Sequence, residues 1–547
     1  MKKFLISLSV ALAMWSAVAA QVRSNVSSVN KNIQLFADIL KRLNANYVDS
    51  IDLDRVVHRG IDAMLGELDP YTVYFSPTET KEFMASNTGE YGGIGSYIGE
   101  RDGYVYFSGP REGTPSDRAG IRIGDVILSI DGVDAKGMGV DEVSSRLKGP
   151  RGSRVKVDVR RPFVADSLLS FDIERDIITV PAVVYSGVVA PGIGYIGLTQ
   201  FSEKSDEEVR QALTRLLADD HISGLVLDLR GNGGGYLQSA VKILSLFLPK
   251  GTTVLTTKGL AGRDDMTYAT PTKPIAPELP LVVLVDGETA SSAEITAGAL
   301  QDLDRAVVVG ARTYGKGLVQ STYSMDNNGL LKVTTSKYYI PSGRLIQARR
   351  YDAGTSSEIP DSLTTEFKTR AGRTVRDGRG ISPDEEVTYD NTSRLVYNLV
   401  TGNWIDDFAT RYSAEHPERP ALDDIVVTDS IYSMFKRSID PDRLNYDKVS
   451  DESLSLLREV ATLEGYMTPE IEDQIVVLEQ LMKHSLDADL DIQRPNIEPY
   501  LLRELAERYY YQPGGVAAAL RTDKGLKKAV SILADPAKYT SLLQPAK

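Results

Sequence analysis

Two side chains in one stretch of this chain could together make and break an acyl bond. From Pro280 to Gln320 the sequence reads PLVVLVDGETASSAEITAGALQDLDRAVVVGARTYGKGLVQ, with Ser291 near its middle and Lys316 between glycines. A serine hydroxyl is a poor nucleophile at its own pKa and needs a base beside it. None of the four histidines (His58, His221, His416, His484) lies near this stretch. A lysine can serve instead when an apolar pocket disfavours its ammonium form, and Ser–Lys pairs are an accepted nucleophile–base arrangement. The amine must also be oriented, and Gln320 lies four residues beyond Lys316. Ser292 is the fallback nucleophile. A polar helix start with a surface lysine would account for either residue alone, but the joint spacing makes chemistry the better reading.

The elements needed to position these groups are legible around them. Leu281 to Val285 has the length and composition of a fully buried strand, and Asp286-Gly287 ends it in a turn. Thr289 to Leu300 is small and helix-compatible, which places Ser291 at a strand-to-helix elbow with the first free helical N–H groups beside it. A second apolar run, Ala306 to Val309, leads into the loop Gly310 to Gly317 that carries Lys316. Upstream, Gly194–Leu198 and Gly224–Leu229 are strand-like, and RGNGGG (Arg230–Gly235) then precedes an apolar helix from about Leu237 to Leu248. Such a loop could cradle a phosphate, but it fits neither G-x-x-x-x-G-K-[ST] nor G-x-G-x-x-G. Gly137 and Gly139 are too sparse to add a nucleotide reading. Asp228 and Arg230 either orient the glycine loop or form a strand-end ion pair, the structural role being favoured; His221 reads as a turn residue, and Glu294 and Asp302 as capping or pairing groups.

Ser291 within TASSAE, with Lys316 and Gln320 within TYGKGLVQ, resembles the signature of the C-terminal processing peptidases, also called tail-specific proteases. The resemblance implies a nucleophilic Ser291, a general-base Lys316 and a Gln320 that orients the lysine. It differs in having Ser292 where alanine is usual, a change that leaves the backbone N–H in place. DLRGNGGG resembles the family's glycine loop, which implies that an N–H of Gly235, or failing that Gly234, joins the N–H of Ser292 in an oxyanion hole. GTPSDRAGIRIGDVILSIDG and LKGPRGSRVKVDVRR resemble a PDZ domain of the bacterial protease type. Gly93, Ile94 and Gly95 would then form the loop that holds a peptide's terminal carboxylate. The PDZ-like unit could capture a substrate tail, gate the protease, or do both.

The resemblance implies an α/β fold: a crotonase/ClpP-like serine protease core, an inserted PDZ-like domain, an N-terminal helical segment and a C-terminal α-helical domain. Residues 1–20 read as a signal peptide. They combine the basic Met1-Lys2-Lys3, the apolar Phe4–Val18 and an Ala17-Val18-Ala19 cleavage site. Residues 27–88 form the helical segment, with Phe36, Ile39, Leu40 and Leu43, then Val57, Ile61, Met64, Leu65 and Leu68, at helical spacing. It closes on LDPYTVYFSP, read as packing at the entry to the core. The PDZ-like domain follows at 89–175 and the catalytic core at 176–390, with a polar, solvated loop from about Tyr351 to Asp377. Residues 391–547 are helical, marked by Ile471, Ile475, Leu478 and Met482 and by Leu501, Leu502, Leu505 and Tyr509, with Pro495, Pro499 and Pro513 as punctuation. This region is a homo-oligomerisation or adaptor-docking domain, or extra packing around the core.

The 547 residues suffice for three or four domains, and 42% hydrophobic with 25% charged residues is ordinary for globular proteins. A net charge of -13 argues against a dedicated nucleic-acid binder, and the absence of cysteine excludes disulfides, a thiolate nucleophile and zinc–cysteine sites. No cofactor or metal is implied. The expectation is an exported serine endopeptidase without stable membrane insertion, periplasmic in a Gram-negative source. The resemblance supplies its substrates: protein chains engaged by their C-terminal tails. The alternatives are a non-catalytic peptide-binding scaffold and an acyl-thioester-processing enzyme.

Overall fold

The computed structural model describes residues 28–164, 167–352, 354–388, 392–444, 449–482 and 485–545. The expected signal peptide and His484 lie outside the described residues. Among those described, no helix is long and apolar enough to cross a membrane.

The chain divides into two compact bodies. The smaller comprises the described residues up to Pro77 together with 320–334 and 351–356. Its helix Leu53–Gly66 starts on an Asp52 cap, and the strand Val73–Phe75 pairs antiparallel with Leu330–Lys332. The apolar stripe expected to pack here is only partly covered. Leu65 is buried, whereas Phe36, Ile39, Met64 and Leu68 are exposed.

The larger body holds the catalytic core. Its six-stranded sheet runs in the order Val183–Ala190, Ile193–Leu198, Gly224–Asp228, Leu281–Val285, Val307–Gly310, Glu385–Glu386. The first pair is antiparallel and the remaining pairs are parallel. Strands buried on both faces read as continuous apolar runs, and LVVLV is one. Leu281, Val283 and Val285 face the helices Ser205–Ala218, Leu237–Leu244 and Ser292–Asp302, while Val282 and Leu284 belong to a second cluster on the other side. That second face is covered by the end of the chain: Leu520, Leu526, Ala529 and Ile532 pack on it. The last helices are thus a layer of the core, which decides for packing at least in this part of 391–547.

The PDZ-like unit is a sheet in the order Ser96–Arg101, Tyr104–Pro110, Val126–Ile130, Arg154–Arg160, Leu168–Glu174, with the helix Val140–Leu147 against it. Ser96–Arg101 is an edge strand. The ribbon of Glu90–Gly93 and Asp176–Thr179 joins the unit to the core.

Two expectations need correction. Pro495 and Pro499 lie inside the helix Leu486–Leu520, which leaves helical geometry only at Tyr510 and Tyr511, ahead of Pro513. Burial of Ile497, Leu501 and Leu505 offsets the backbone bonds those prolines remove. Of Ile471, Ile475, Leu478 and Met482, Ile475 alone is buried. Residues 351–377 are not wholly a solvated loop either. They contain the hairpin Glu366–Lys368/Thr374–Arg376, and Arg373 is buried between Asp304 (2.7 Å) and Asp384 (2.6 Å). A buried guanidinium with two carboxylates is satisfied without water.

Candidate active site

Ser291, the backbone of Lys316 and the glycine loop meet at the C-terminal ends of the parallel strands, where open α/β sheets place their ligands. The strand Leu281–Val285 passes through the Asp286 turn to Ser291, and the helix begins at Ser292. Ser291 has φ 55° and ψ -117°, a strained geometry that lifts a side chain out of a tight elbow. The turn beneath it is tied down. Asp286 accepts from the N–H groups of Gly231, Glu288 and Thr289, and the Thr289 hydroxyl donates to the Leu229 carbonyl (2.9 Å).

Glu294 joins the elbow to the lysine loop. Its Oε2 accepts from the N–H of Ser291 and of Lys316, both at 2.9 Å. Its Oε1 accepts from the Thr313 hydroxyl (2.5 Å) and the Gly315 N–H (2.7 Å). The carboxylate is fully buried, and that burial pushes its pKa up to about 7 against the opposing pull of these four donors. The Tyr338 hydroxyl adds a second link. It donates to the Lys316 carbonyl (2.6 Å) and lies 3.3 Å from that of Ser291. Capping was the sequence expectation for Glu294, and it caps; the lysine loop as its second partner was not visible in the sequence.

The glycine loop meets the same place. A Cβ on Gly234 would lie 2.8 Å from the Ser291 Cβ and 2.9 Å from the Ser292 nitrogen, so only glycine permits this approach. Gly235 has φ 135°, and a Cβ there would come within 2.2 Å of the Phe201 carbonyl. The Gly234 N–H is engaged by the Asn232 side-chain oxygen (2.8 Å). The N–H groups of Gly235 and Ser292 have no hydrogen-bond partner among the described residues. Between the two glycines, this favours Gly235 as the donor.

Ser292 is 1% exposed, and its hydroxyl donates to the Gly235 carbonyl at 2.8 Å. It is a brace for the glycine loop, which leaves half-buried Ser291 as the accessible hydroxyl. Asn232, missed in the sequence reading, is fully buried. It donates to the Leu198 carbonyl (2.7 Å), and its own carbonyl accepts from the Ala290 N–H (2.9 Å). A lone amide among glycines was the available signal. Tyr338, within TTSKYYIPSGRLIQ, was also missed.

Asp228 and Arg230 form the expected ion pair (2.6 Å), and Arg230 reaches on to Asp523 (2.8 Å) at the start of the helix Lys524–Leu533. Asp302 pairs with buried Arg344 (2.9 Å), and His221 occupies a turn at φ 49°. Gln320 lies in the smaller body, on the strand Leu318–Ser324, where its Nε2 donates to Thr334 Oγ1 (3.1 Å). In the PDZ-like unit the N–H groups of Ile94 and Gly95 have no partner among the described residues. The Gly95 carbonyl is fixed by the Thr114 and Ser116 hydroxyls (2.9 and 3.0 Å). Ile94 packs into the core of that unit beside the edge strand Ser96–Arg101. Among the described residues no cluster of side chains could hold a metal ion.

The family model for peptidase family S41 matches residues 192–358 and a PDZ domain model matches 106–161. The model for the C-terminal helical domain of probable PDZ-proteases matches 395–533. A carboxy-terminal-processing protease of Bartonella bacilliformis is 36% identical over 327 residues, covering 59% of this chain and 74% of that one. The carboxy-terminal processing protease CtpA of Bacillus subtilis is 33% identical over 322 residues, covering 59% and 68%. Among solved structures, a photosystem II D1 C-terminal processing protease is 26% identical, covering 65% of this chain and 92% of its own, with a TM-score of 0.34.

Proposed function

This chain belongs to peptidase family S41, as a carboxy-terminal-processing serine protease with a PDZ domain, and from that premise we propose that it works through a Ser291–Lys316 dyad. The observation that carries this reading is the single Glu294 oxygen that receives the backbone N–H of both residues. Lys316, as a neutral amine, takes the Ser291 proton while the hydroxyl oxygen attacks a peptide carbonyl. The N–H groups of Gly235 and Ser292 receive the oxyanion. The proton then passes from Lys316 to the leaving amine, and water hydrolyses the acyl-enzyme with Lys316 again as base. The removal of one oxyanion donor typically costs about a hundred- to thousand-fold in rate.

The substrates are protein chains presented by their C-terminal tails. The unpartnered N–H groups of Ile94 and Gly95, beside the open edge of Ser96–Arg101, suit a terminal carboxylate with a strand added behind it. The protein acts after export, with the leader at residues 1–20 removed.

The test is hydrolysis of an unfolded protein, with products identified by mass spectrometry and C-terminal residues varied. Wild type should cut near the tail, and Ser291→Ala and Lys316→Ala should each be inactive while remaining folded. Retained hydrolysis by either folded variant would refute the dyad.

A further inference from the structure

Tyr511 stands where the helix Leu486–Leu520 leaves helical geometry, with φ 56° and ψ -168°, a conformation that residues other than glycine rarely hold. Its hydroxyl reaches out of its own helix to the PDZ domain. It donates at 2.6 Å to Oδ1 of Asp117, in the short helix Pro115–Ala119. The other oxygen of Asp117 accepts from the Gly113 N–H (2.8 Å). The same segment carries the loop of Ile94 and Gly95. The Ser116 N–H donates to the Ile94 carbonyl (2.8 Å), and the Ser116 hydroxyl and the Arg111 N–H each reach the Gly95 carbonyl at 3.0 Å. Gly95 has φ 80°, and a Cβ on it would lie 2.4 Å from that of Thr114, so the loop has no play against this segment. At the far end of the edge strand Ser96–Arg101, Arg101 pairs with Asp406 (2.8 Å) and with Asp407 of the helix Trp404–Glu415, and Arg508 also holds Asp406. The C-terminal helical domain thus grips both ends of the element that would receive a peptide.

We propose that Tyr511, acting through Asp117, is a positioning residue for the carboxylate loop, so that the C-terminal helical domain sets how strongly a peptide's terminal carboxylate is held. The inference rests on the reading of Ile94 and Gly95 as the carboxylate donors. A planar trans peptide group points its N–H opposite to its C=O. Fixing the Ile94 carbonyl on Ser116 therefore aims the Gly95 N–H away from the supporting segment, and it has no partner among the described residues. Ser116 adjoins Asp117, and a hydrogen bond to an ionised carboxylate is among the stronger ones. Packing of the two domains would need neither the Tyr511 hydroxyl nor a tyrosine at positive φ. The strained backbone is what delivers that hydroxyl to Asp117.

Peptide binding to the full chain tests this, in a Ser291→Ala background that prevents cleavage. The probe is a fluorescein-labelled decapeptide copied from the C-terminus of the unfolded protein used as substrate, made once with a free carboxylate and once as the amide. The parent chain should prefer the carboxylate. Tyr511→Phe, which removes one hydroxyl, should cut that preference about fivefold, within the range for residues that couple two sites. The Kd of the amide should stay within about twofold. Asp117→Ala should cut the preference at least as far, and Tyr511→Phe should add nothing to it. With Ser291 intact, Tyr511→Phe should raise KM on the unfolded protein and leave kcat within about twofold. Equal weakening of both peptides, independent losses from Tyr511→Phe and Asp117→Ala, or a fall in kcat with KM unchanged would overturn the proposal. If thermal melts show that Asp117→Ala does not fold, Tyr511→Phe decides alone by the same criteria. If the parent chain binds both peptides equally, the reading of Ile94 and Gly95 fails and the proposal falls with it. If the parent discriminates and Tyr511→Phe matches it, the proposal alone fails.

Discussion

Ser291 and Lys316 donate their backbone N–H groups to the same atom, Oε2 of Glu294, each at 2.9 Å. The elbow and the lysine loop leave different strands of the sheet, and neither has a local reason to keep step with the other. One buried oxygen supplies that reason. Glu294→Gln keeps the volume but replaces an acceptor-only group with one oxygen and an NH2 donor, so at least one of four N–H or O–H donors faces another donor. The expected outcome is a loss of kcat of about a hundredfold, the scale of a misplacement near 1 Å. Glu294→Ala should also destabilise the fold, since it leaves four buried donors without an acceptor. Activity of Glu294→Gln close to wild type would show that the shared atom has no catalytic consequence.

The same carboxylate predicts a pH dependence of stability. Burial raises its folded pKa to about 7, above the roughly 4.3 of an unfolded glutamate. The folded state therefore holds this proton more tightly than the unfolded state. The contribution to stability is complete below about pH 4.3 and is lost as pH rises through about 7. The difference in thermal midpoint between wild type and Glu294→Gln should accordingly change across this window and flatten on either side. Catalysis runs the other way, because only the ionised form accepts from all four donors. A midpoint difference constant from about pH 4 to pH 8 would contradict the assignment.

Adjacent serines allow a sharp comparison. Ser292→Ala removes one buried hydrogen bond to the Gly235 carbonyl and leaves the backbone N–H in place. Its cost should be about 0.5–1.5 kcal/mol of stability, with activity retained. Ser291→Ala should be stable and inactive. Gly235→Ala should lose both properties, because its φ of 135° and the Phe201 carbonyl 2.2 Å from a Cβ leave no room for a side chain. Thermal melts and covalent labelling with a serine-directed phosphonate would separate the three. Labelling that survived Ser291→Ala and vanished in Ser292→Ala would reverse the roles.

Legibility in the sequence followed the range of the interactions. The strand Leu281–Val285, the turn at Asp286 and the elbow at Ser291 are written locally, in a run of apolar residues, a turn dipeptide and small helix formers. Arg230–Gly235 shows its need for glycine in its composition. The link from Glu294 to Thr313, Gly315 and Lys316 is tertiary, and a glutamate three residues into a helix looks the same whether it caps one N–H or gathers four donors. Arg373 illustrates the same limit. It sits in a polar segment, and only the fold brings Asp304 and Asp384 to it. The run LVVLV does imply a cover on each face of the sheet, but periodicity cannot say that the second cover comes from the far end of the chain.

That distant cover carries the last prediction. Leu526 and Ile532 are buried against Val226, Val282 and Leu284, and Tyr539 donates its hydroxyl to the Arg305 carbonyl (3.3 Å) while accepting from the Leu281 N–H (3.0 Å). Leu526→Ala and Ile532→Ala should each cost about 2–5 kcal/mol, the range for buried aliphatic truncations. Leu481→Ala, at a position 73% exposed in the same C-terminal region, should stay within about 0.5 kcal/mol. Asp523→Ala should fall between, since it removes one carboxylate from Arg230 but leaves Asp228 at 2.6 Å. Chemical denaturation of the four variants measures this order. A helical region that served only to dock partners would give four equal, small values. Removal of the chain from residue 516 onward should then unfold the catalytic sheet, because an apolar strand face would lose its cover.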